Sequence, residues 1–429
     1  MDEPLISVVM TAYNSEKFIR ESIESVLNQT HQNLQFIIIN DGSTDGTEAV
    51  ISEFSDPRIE YYSLRENCHI AHATNVGFSK VKGEYVAIID SDDIWDTDKL
   101  KKQLAYLRRH PRHQGCFTWV TLIDEQGSAI DEKMPELKKL FSASTESREY
   151  WLRFFFFYGN RLNNPSSLVT YEAFSQIGRH SLFYIQGMDF EWWVRFAKRF
   201  SFGILEEPLV YYRRVSDPEV NVSSDSDTHN IRFFNEHMFI RYHFFDDMDD
   251  ELFLRTFQEM FVCPDSRSPE ELACEKAFLL CRPIHGSRCP QALGLLKLEE
   301  MLMDERFSKL LKEKYNFSTI ECGKYTGQHI FNDLYTQKYE EKIRGQEHWL
   351  NLTRQHIFKL ENELEDHKRQ IRERERETAQ LREEISMRDS LNQKLAQDLN
   401  VITSSFSWKL TAPLRMIIDK MKKTARKKK

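Results

Sequence analysis

Along the first 125 residues, two hydrophobic periods alternate. Apolar runs of strand length recur at Leu5–Met10, Leu34–Ile39, Ile59–Leu64, Tyr85–Ile89 and Gly115–Ile123. Between them the apolar positions take helical spacing. Ile19, Ile23, Val26 and Leu27 fall at i, i+4, i+7 and i+8, with Ser15 placed to cap, and Leu100, Leu104 and Leu107 repeat the rhythm after Asp96-Thr97. Residues three and four apart share one helix face, so each such segment needs a sheet to cover it. Strand–helix alternation of this kind predicts right-handed crossovers and an α/β fold built on a mostly parallel sheet flanked by helices. Ligands of such sheets sit at the carboxyl ends of strands. Three polar clusters fall at those ends: Thr11-Ala12-Tyr13-Asn14, Asn40-Asp41-Gly42-Ser43 and Asp90-Ser91-Asp92-Asp93.

Farther along, the pattern changes three times. Residues 150–215 are rich in aromatics and less regular, with a helix expected over Phe190–Phe200. Residues 216–230 are polar and read as a loop, and 231–335 read as helical without a recognisable motif. Placing heptad position a at Ile357 makes nine of fourteen a and d positions apolar through Ile402, which predicts a long coiled-coil helix over 336–403. Asn392 occupies one a position, compatible with a dimer, and the stripe is polar between His367 and Thr378. The expected segments are therefore 1–230, 231–335, 336–403 and 404–429.

Charge separates the last segment from the rest. Residues 404–429 carry nine Lys and Arg against Asp419, a net of +8; the whole chain is −8, so residues 1–403 carry −16. An acidic body with a basic end argues against nucleic acid as the main partner and for an anionic surface at one end. Leu414, Ile417, Ile418 and Met421 share one helical face among the lysines, with Phe406 and Trp408 just before. That is the composition of an interfacial helix rather than a spanning one. No run approaches the 18 or more apolar residues of a membrane span, the opening residues lack a secretory leader's charge pattern, and seven scattered cysteines without a CxxC pair imply reduced thiols. The expected location is the cytoplasm, peripheral on the inner face of the plasma membrane.

The chemistry concentrates at the aspartate cluster. A strand that delivers adjacent carboxylates to its end pays in mutual repulsion and desolvation unless a cation compensates. Hard ions such as Mn²⁺ or Mg²⁺ are held by one or two such carboxylates plus phosphate oxygens. Tyr13 could stack on a flat base. Asp41 opens an Asp-Gly turn in which glycine supplies the backbone angle, its carboxylate could accept from a base imide, and Ser43 is placed to cap the next helix.

Three phrases now carry a resemblance: Ser7-Val-Val-Met-Thr-Ala-Tyr-Asn14, Ile39-Asn-Asp-Gly-Ser-Thr-Asp45 and Gly83-Glu-Tyr-Val-Ala-Ile-Ile-Asp-Ser-Asp-Asp93. In this order and spacing they resemble the signatures of family 2 glycosyltransferases of the GT-A fold, over about residues 1–215. The resemblance implies an inverting transferase that moves a sugar from a nucleotide-diphosphate donor to an acceptor hydroxyl with Mn²⁺ or Mg²⁺. It implies that Asp90 and Asp92 form the Asp-x-Asp metal motif and that Tyr13 and Asp41 hold the nucleobase. Thr11, Asn14, Gly42, Ser43, Asn75, Asp90 and Ser91 are further expected donor contacts.

The family sets its catalytic base in an acidic pair before an amphipathic helix. The matching stretch is Gly187-Met188-Asp189-Phe190-Glu191-Trp192-Trp193-Val194-Arg195, where Met-Asp replaces Glu-Asp. Asp189 is the expected base and Glu191 the runner-up. Ala73-Thr74-Asn75 stands where relatives often have Ala-Arg-Asn, so a UDP-sugar is favoured only weakly. The Gln-x-x-Arg-Trp phrase of processive synthases is absent. Tyr211-Tyr212-Arg213-Arg214 lies where the family closes a loop over the diphosphate, and the two arginines read either as a phosphate contact or as a surface pair. The phrase Ser405-Phe-Ser-Trp-Lys-Leu-Thr-Ala-Pro-Leu-Arg415 resembles the ending of bacterial surface-polysaccharide transferases. A lipid-linked or growing glycan of O-antigen or capsule type is the implied acceptor, and a homo-oligomer is expected through the coiled coil. The alternative is a non-catalytic scaffold of a glycan-assembly complex built on a degenerate transferase domain.

Overall fold

The computed structural model describes residues 3–215, 227–284, 290–328, 330 and 334–426. In chain order the elements begin β1 (Ile6–Ala12), α1 (Ile19–Leu27), β2 (Leu34–Asn40), α2 (Thr47–Ser52), β3 (Ile59–Ser63), α3 (Ile70–Phe78), β4 (Tyr85–Asp90), β5 (Ile94–Trp95), α4 (Lys99–Arg109) and β6 (His113–Ile123). There follow α5 (Pro135–Leu140), α6 (Arg148–Tyr158), β7 (Leu168–Thr170), α7 (Tyr171–Ile177), α8 (Met188–Arg199), β8 (Ser201–Arg213) and α9 (Asp227–Tyr242). The remaining helices are α10 (Asp250–Phe257), α11 (Pro269–Leu280), α12 (Gln291–Leu302), α13 (Glu305–Glu313), α14 (Thr319–Thr326), α15 (Leu334–Ser404), α16 (Phe406–Leu410) and α17 (Ala412–Arg426).

All five expected strands form, within two residues of their apolar runs. They belong to an eight-stranded mixed sheet ordered β3-β2-β1-β4-β7-β6-β8-β5, the GT-A-like architecture the motifs imply. The first four in that order are parallel, as right-handed crossovers require. Beyond β4 the sheet mixes: β7 runs antiparallel to β4 and β6, and β5 antiparallel to β8. The apolar run of β2 is buried along its whole length, the mark of a central strand covered on both faces. Ile19, Ile23 and Val26 of α1 are fully buried on one sheet face, while α3 packs Ala71, Ala73 and Phe78 into the cluster on the other.

Three local expectations change. The Ser15 side chain does not cap α1; its carbonyl accepts from Phe18 and Ile19 N–H while the hydroxyl turns toward Ser91. Ser43 does not cap α2, which starts four residues later at Thr47 with Gly46 as its cap residue. Of the polar stretch 216–230, residues 216–226 lie outside the described ones, and the rest open α9 rather than continuing a loop.

Two compact units form, Met1–Lys338 and Tyr339–Lys429. Within the first, packing runs through position 231 without a break. Ile240, Phe244, Phe245, Phe253 and Phe257 share one apolar cluster with Val9, Ile37, Trp193 and Phe196. α15 runs for 71 residues as one helix, all but its first five in the second unit. Its apolar a and d side chains, among them Ile357, Leu364, Ile385 and Leu399, are exposed along the single chain. No described helix is long and apolar enough to cross a membrane. The six described cysteines are free thiols, with Cys116, Cys274 and Cys281 buried.

Candidate active site

Register brings the three polar clusters together. Thr11 at the end of β1 pairs with Ile39 of β2 on one side and Asp90 of β4 on the other. The chain leaves all three strands at one sheet edge, so Tyr13-Asn14, Asp41-Gly42-Ser43 and Ser91-Asp92-Asp93 become neighbouring loops. Hydrogen bonds stitch them. Asn14 N–H donates to Ser43 Oγ at 3.0 Å, Thr44 N–H donates to Asn14 Oδ1 at 2.9 Å, and the Ser15 and Ser91 hydroxyls lie 2.7 Å apart. Asn14 takes a left-handed backbone (φ 49°) to make this link.

The loop around Asp41 is preorganised. Asp41 is buried and its Oδ1 accepts from Cys68 N–H at 2.9 Å. Gly42 adopts φ 69°, and a Cβ there would sit 2.5 Å from the Glu66 carbonyl carbon, so only glycine lets the two loops meet. Tyr13, by contrast, leaves 48% of its surface exposed at the rim, a flat face free for stacking. Ser91 is buried against Ser15. Asn75 is committed elsewhere: its amide donates to His180 carbonyl at 2.9 Å and accepts from His180 N–H at 2.8 Å. This residue clamps α3 to the 180 loop, a structural role beside the expected donor contact.

Asp90 and Asp92 stand partly buried at the cleft. Burial first, then the charges of Asp92 and Asp189, push the Asp90 carboxyl up to about 7. Burial also raises Asp92, against the pull of Arg213 and Arg214. Asp93, the third of the cluster, points inward: it is fully buried, its Oδ1 accepts from Arg213 N–H at 2.9 Å, and its carboxyl is held well above the usual range, chiefly by burial. Among the described residues no three His, Cys, Asp or Glu side chains gather into a metal cluster. Two crowded carboxylates with raised pKa values nevertheless fit a hard divalent cation whose remaining ligands are diphosphate oxygens and water.

Arg213 is not a surface residue. It is 2% exposed and spends four of its five N–H groups inside the protein, donating to the Asp92 carbonyl at 2.8 Å, to the Asp124 and Glu125 carbonyls, and to Glu21 Oε2 at 2.6 Å. It braces the aspartate loop. Arg214 donates to the Tyr212 hydroxyl at 3.2 Å.

Asp189 enters from the first turn of α8. Its Oδ1 accepts from Phe190 N–H at 2.7 Å, and Asn160 donates to Oδ2 at 3.2 Å. Burial raises its carboxyl to about 6, and its charge is one of those felt by Asp90. Glu191, the other candidate base, is held in a bidentate pair by Arg195 at 2.6 and 2.8 Å. That pair gives each Glu191 oxygen a charged partner, which Asp189 lacks in its bonds to Phe190 N–H and Asn160. Asn160 and Asp93 are the members that sequence reasoning did not assign. Only the unbroken Asp-Ser-Asp-Asp run carried a signal for the second, and nothing marked the first.

The crowding has a measurable consequence. Asp90 binds its proton up to about pH 7 when folded but only to about pH 4 when unfolded. Its contribution to stability is therefore present below about pH 4 and lost as pH rises through about 7. In chelator at pH 8, Asp90→Asn should raise Tm by a few degrees, at ~2–4 °C per kcal/mol, with the gain shrinking toward pH 5. An unchanged melting curve at pH 8 would show that neither burial nor its neighbours' charge penalises the ionised Asp90.

Comparisons with known proteins cover the strand-end residues of the site but, for the family profile, not Asp189. The profile of Glycosyl transferase family 2 matches residues 7–182. An uncharacterized glycosyltransferase of Methanocaldococcus jannaschii is 34% identical over 218 residues, covering 50% of this chain and 72% of that protein. The UDP-Glc:alpha-D-GlcNAc-diphosphoundecaprenol beta-1,3-glucosyltransferase WfgD of Escherichia coli is 37% identical over 110 residues, 26% of this chain and 44% of its own length. Among solved structures, S. aureus TarS 1-349 in complex with UDP-GlcNAc aligns with a TM-score of 0.45 at 17% identity, over 75% of this chain and 92% of that one.

Proposed function

Since this chain belongs to glycosyl transferase family 2, we propose that it transfers a sugar from a nucleoside-diphosphate donor to a hydroxyl of a lipid-linked or growing surface polysaccharide, with inversion and without processivity. One observation carries the reading: the adjacent ends of β1, β2 and β4 assemble Tyr13, Asp41, Asp90 and Asp92 at one edge, and α8 brings Asp189 within electrostatic reach of Asp90. A lipid-linked acceptor is supported by the likeness to WfgD, which acts on alpha-D-GlcNAc-diphosphoundecaprenol, and a uridine nucleotide is favoured because WfgD uses UDP-Glc.

Tyr13 and Asp41 bind the base, one by stacking and one by accepting a hydrogen bond. Asp90 and Asp92 would hold Mn²⁺ or Mg²⁺, which supplies charge neutralisation for the departing diphosphate, worth several kcal/mol of barrier. Asp189 takes the proton of the acceptor hydroxyl as that oxygen attacks the anomeric carbon opposite the leaving group. It works ionised, so turnover should fall as pH drops below about 6, where burial lets it regain its proton. Incubation with a panel of UDP- and GDP-sugars, with nucleoside diphosphate release and product anomer read by NMR, tests the proposal. Retention of configuration, or no release from any donor, would refute it.

The second unit serves as tether in this reading. The apolar stripe of α15 is exposed along the single chain, and pairing with a second copy would cover it. Sedimentation should show an oligomer that becomes monomeric on truncation after residue 335; an unchanged mass would place the contact elsewhere. On α17, Leu414, Ile417, Ile418 and Met421 are exposed on a helix crowded with lysine, and Arg415 stacks on the Trp408 ring at 3.4 Å. Basic residues contribute about 1 kcal/mol each on anionic lipid, so the protein is proposed to rest on the inner face of the plasma membrane. Full-length protein should float with phosphatidylglycerol vesicles and the 1–403 form should not. Equal recovery of both would remove the anchor.

A further inference from the structure

The base-bearing turn is held by a helix that lies outside the residues matched by the family profile. Gly187 precedes α8 and offers no side chain to cap it. Its N–H and the two before it instead converge on a single carboxylate from α9: Ile185 N–H donates to Glu236 Oε1 at 3.0 Å, while Gln186 and Gly187 N–H donate to Oε2 at 2.9 and 2.6 Å. Glu236 is 6% exposed. A carboxylate so deeply buried is costly unless hydrogen bonds compensate, and three successive backbone donors do so.

The same helix touches the turn twice more. A Cβ on Gly187 would stand 3.1 Å from Ile240 Cδ1 and 3.3 Å from Glu236 Oε2, so α9 lies close against it. On the far side of Asp189, the ring of Phe190 packs on His237 with centroids 4.8 Å apart. Residues both before and after the base are thus gripped by α9. Among the described residues, the bonds of the Glu236 side chain run to 185–187 and to none of the residues at the strand ends.

We infer that Glu236 is a positioning residue for the base: by gathering the N–H groups of residues 185–187, it sets where Asp189 stands in the cleft and gives the helical region after residue 230 a part in catalysis. This rests on the reading of Asp189 as base. The negative charge of Glu236 also adds to the burial that raises the Asp189 carboxyl.

In Glu236→Gln the side chain keeps its size, but one amide oxygen and one NH₂ group now face three donors, so at least one N–H loses its acceptor. Hydrogen–deuterium exchange across 183–190 should quicken at least tenfold while the later turns of α8 keep their protection. With wild-type transfer established, kcat should fall ~10–100-fold, the range expected for a misplaced reacting group, while donor KM and UDP affinity stay within twofold. Glu236→Asp, which retains the charge, should recover part of the loss. If Glu236→Gln does not fold, Gly187→Ala displaces the same contact by a few tenths of an ångström and should show the same split several-fold weaker. Unchanged exchange in a folded variant, or kcat and UDP affinity falling together, would overturn the inference. The exchange arm needs no activity, so an inactive wild-type protein would sink the transferase reading while leaving this result to stand or fall separately.

Discussion

Asp189→Asn should fold, bind nucleotide-sugar with unchanged affinity, and lose ~10²–10⁴-fold in kcat, the usual worth of a positioned general base. The substitution is nearly isosteric. The amide oxygen can still accept from Phe190 N–H, the contact that ties Oδ1 to the helix start, so shape should persist while basicity is lost. Glu191, the competing acid, holds both of its oxygens in a pair with Arg195. Transfer kinetics beside a direct donor titration separate the two effects. A kcat within threefold of wild type would place the base elsewhere, and Glu191→Gln would be the next variant to measure.

Asp92→Ala should be the more damaging change to donor handling. Asp92 stands at the edge with its carboxyl raised by burial, while its own carbonyl is pinned by Arg213 at 2.8 Å. The backbone is thus fixed by groups that do not include the Asp92 carboxylate, and alanine should leave the loop in place. Several kcal/mol of lost charge neutralisation at the leaving group, at about 1.4 kcal/mol per tenfold, corresponds to ~10³-fold or more in kcat/KM. The variant should also lose the rise in Tm that UDP with Mn²⁺ gives the parent. Retention of both transfer and the thermal shift would detach this aspartate from the chemistry.

Much of the sheet was legible because its strands are buried on both faces and read as plain apolar runs. β8 was not. Its sequence Ser201–Arg213 is broken by Glu206-Glu207-Pro208, which reads as a turn. In the fold that break is absorbed by a register shift against β6 where Trp119 pairs with Pro208; proline lacks the N–H a regular ladder needs and is accommodated at such irregularities. β5 and β7, of two and three residues, are too short to show any period.

At the site, residues legible in the sequence were those carried by strand ends, because register alone decides that Thr11, Ile39 and Asp90 stand side by side. Contacts between distant loops were not legible. Asn75 sits in a motif position yet spends both ends of its amide on His180, 105 residues away. Arg213 ends a strand at the site and reads as a phosphate ligand, but four acceptors from three segments bury its guanidinium. Glu236 looks like one more polar residue on a helix without a marked apolar face, and only the folded chain shows the three N–H groups it collects.

Calorimetric titration of the full-length protein with UDP and UDP-sugars, in Mn²⁺ and again in EDTA, bears most directly on whether charge at this sheet edge is built for a diphosphate. Saturable binding in Mn²⁺ that weakens at least tenfold in EDTA, and equally in Asp92→Ala, is the expected result. Affinity that ignores both the ion and the aspartate, or no binding of any nucleoside diphosphate, would contradict it.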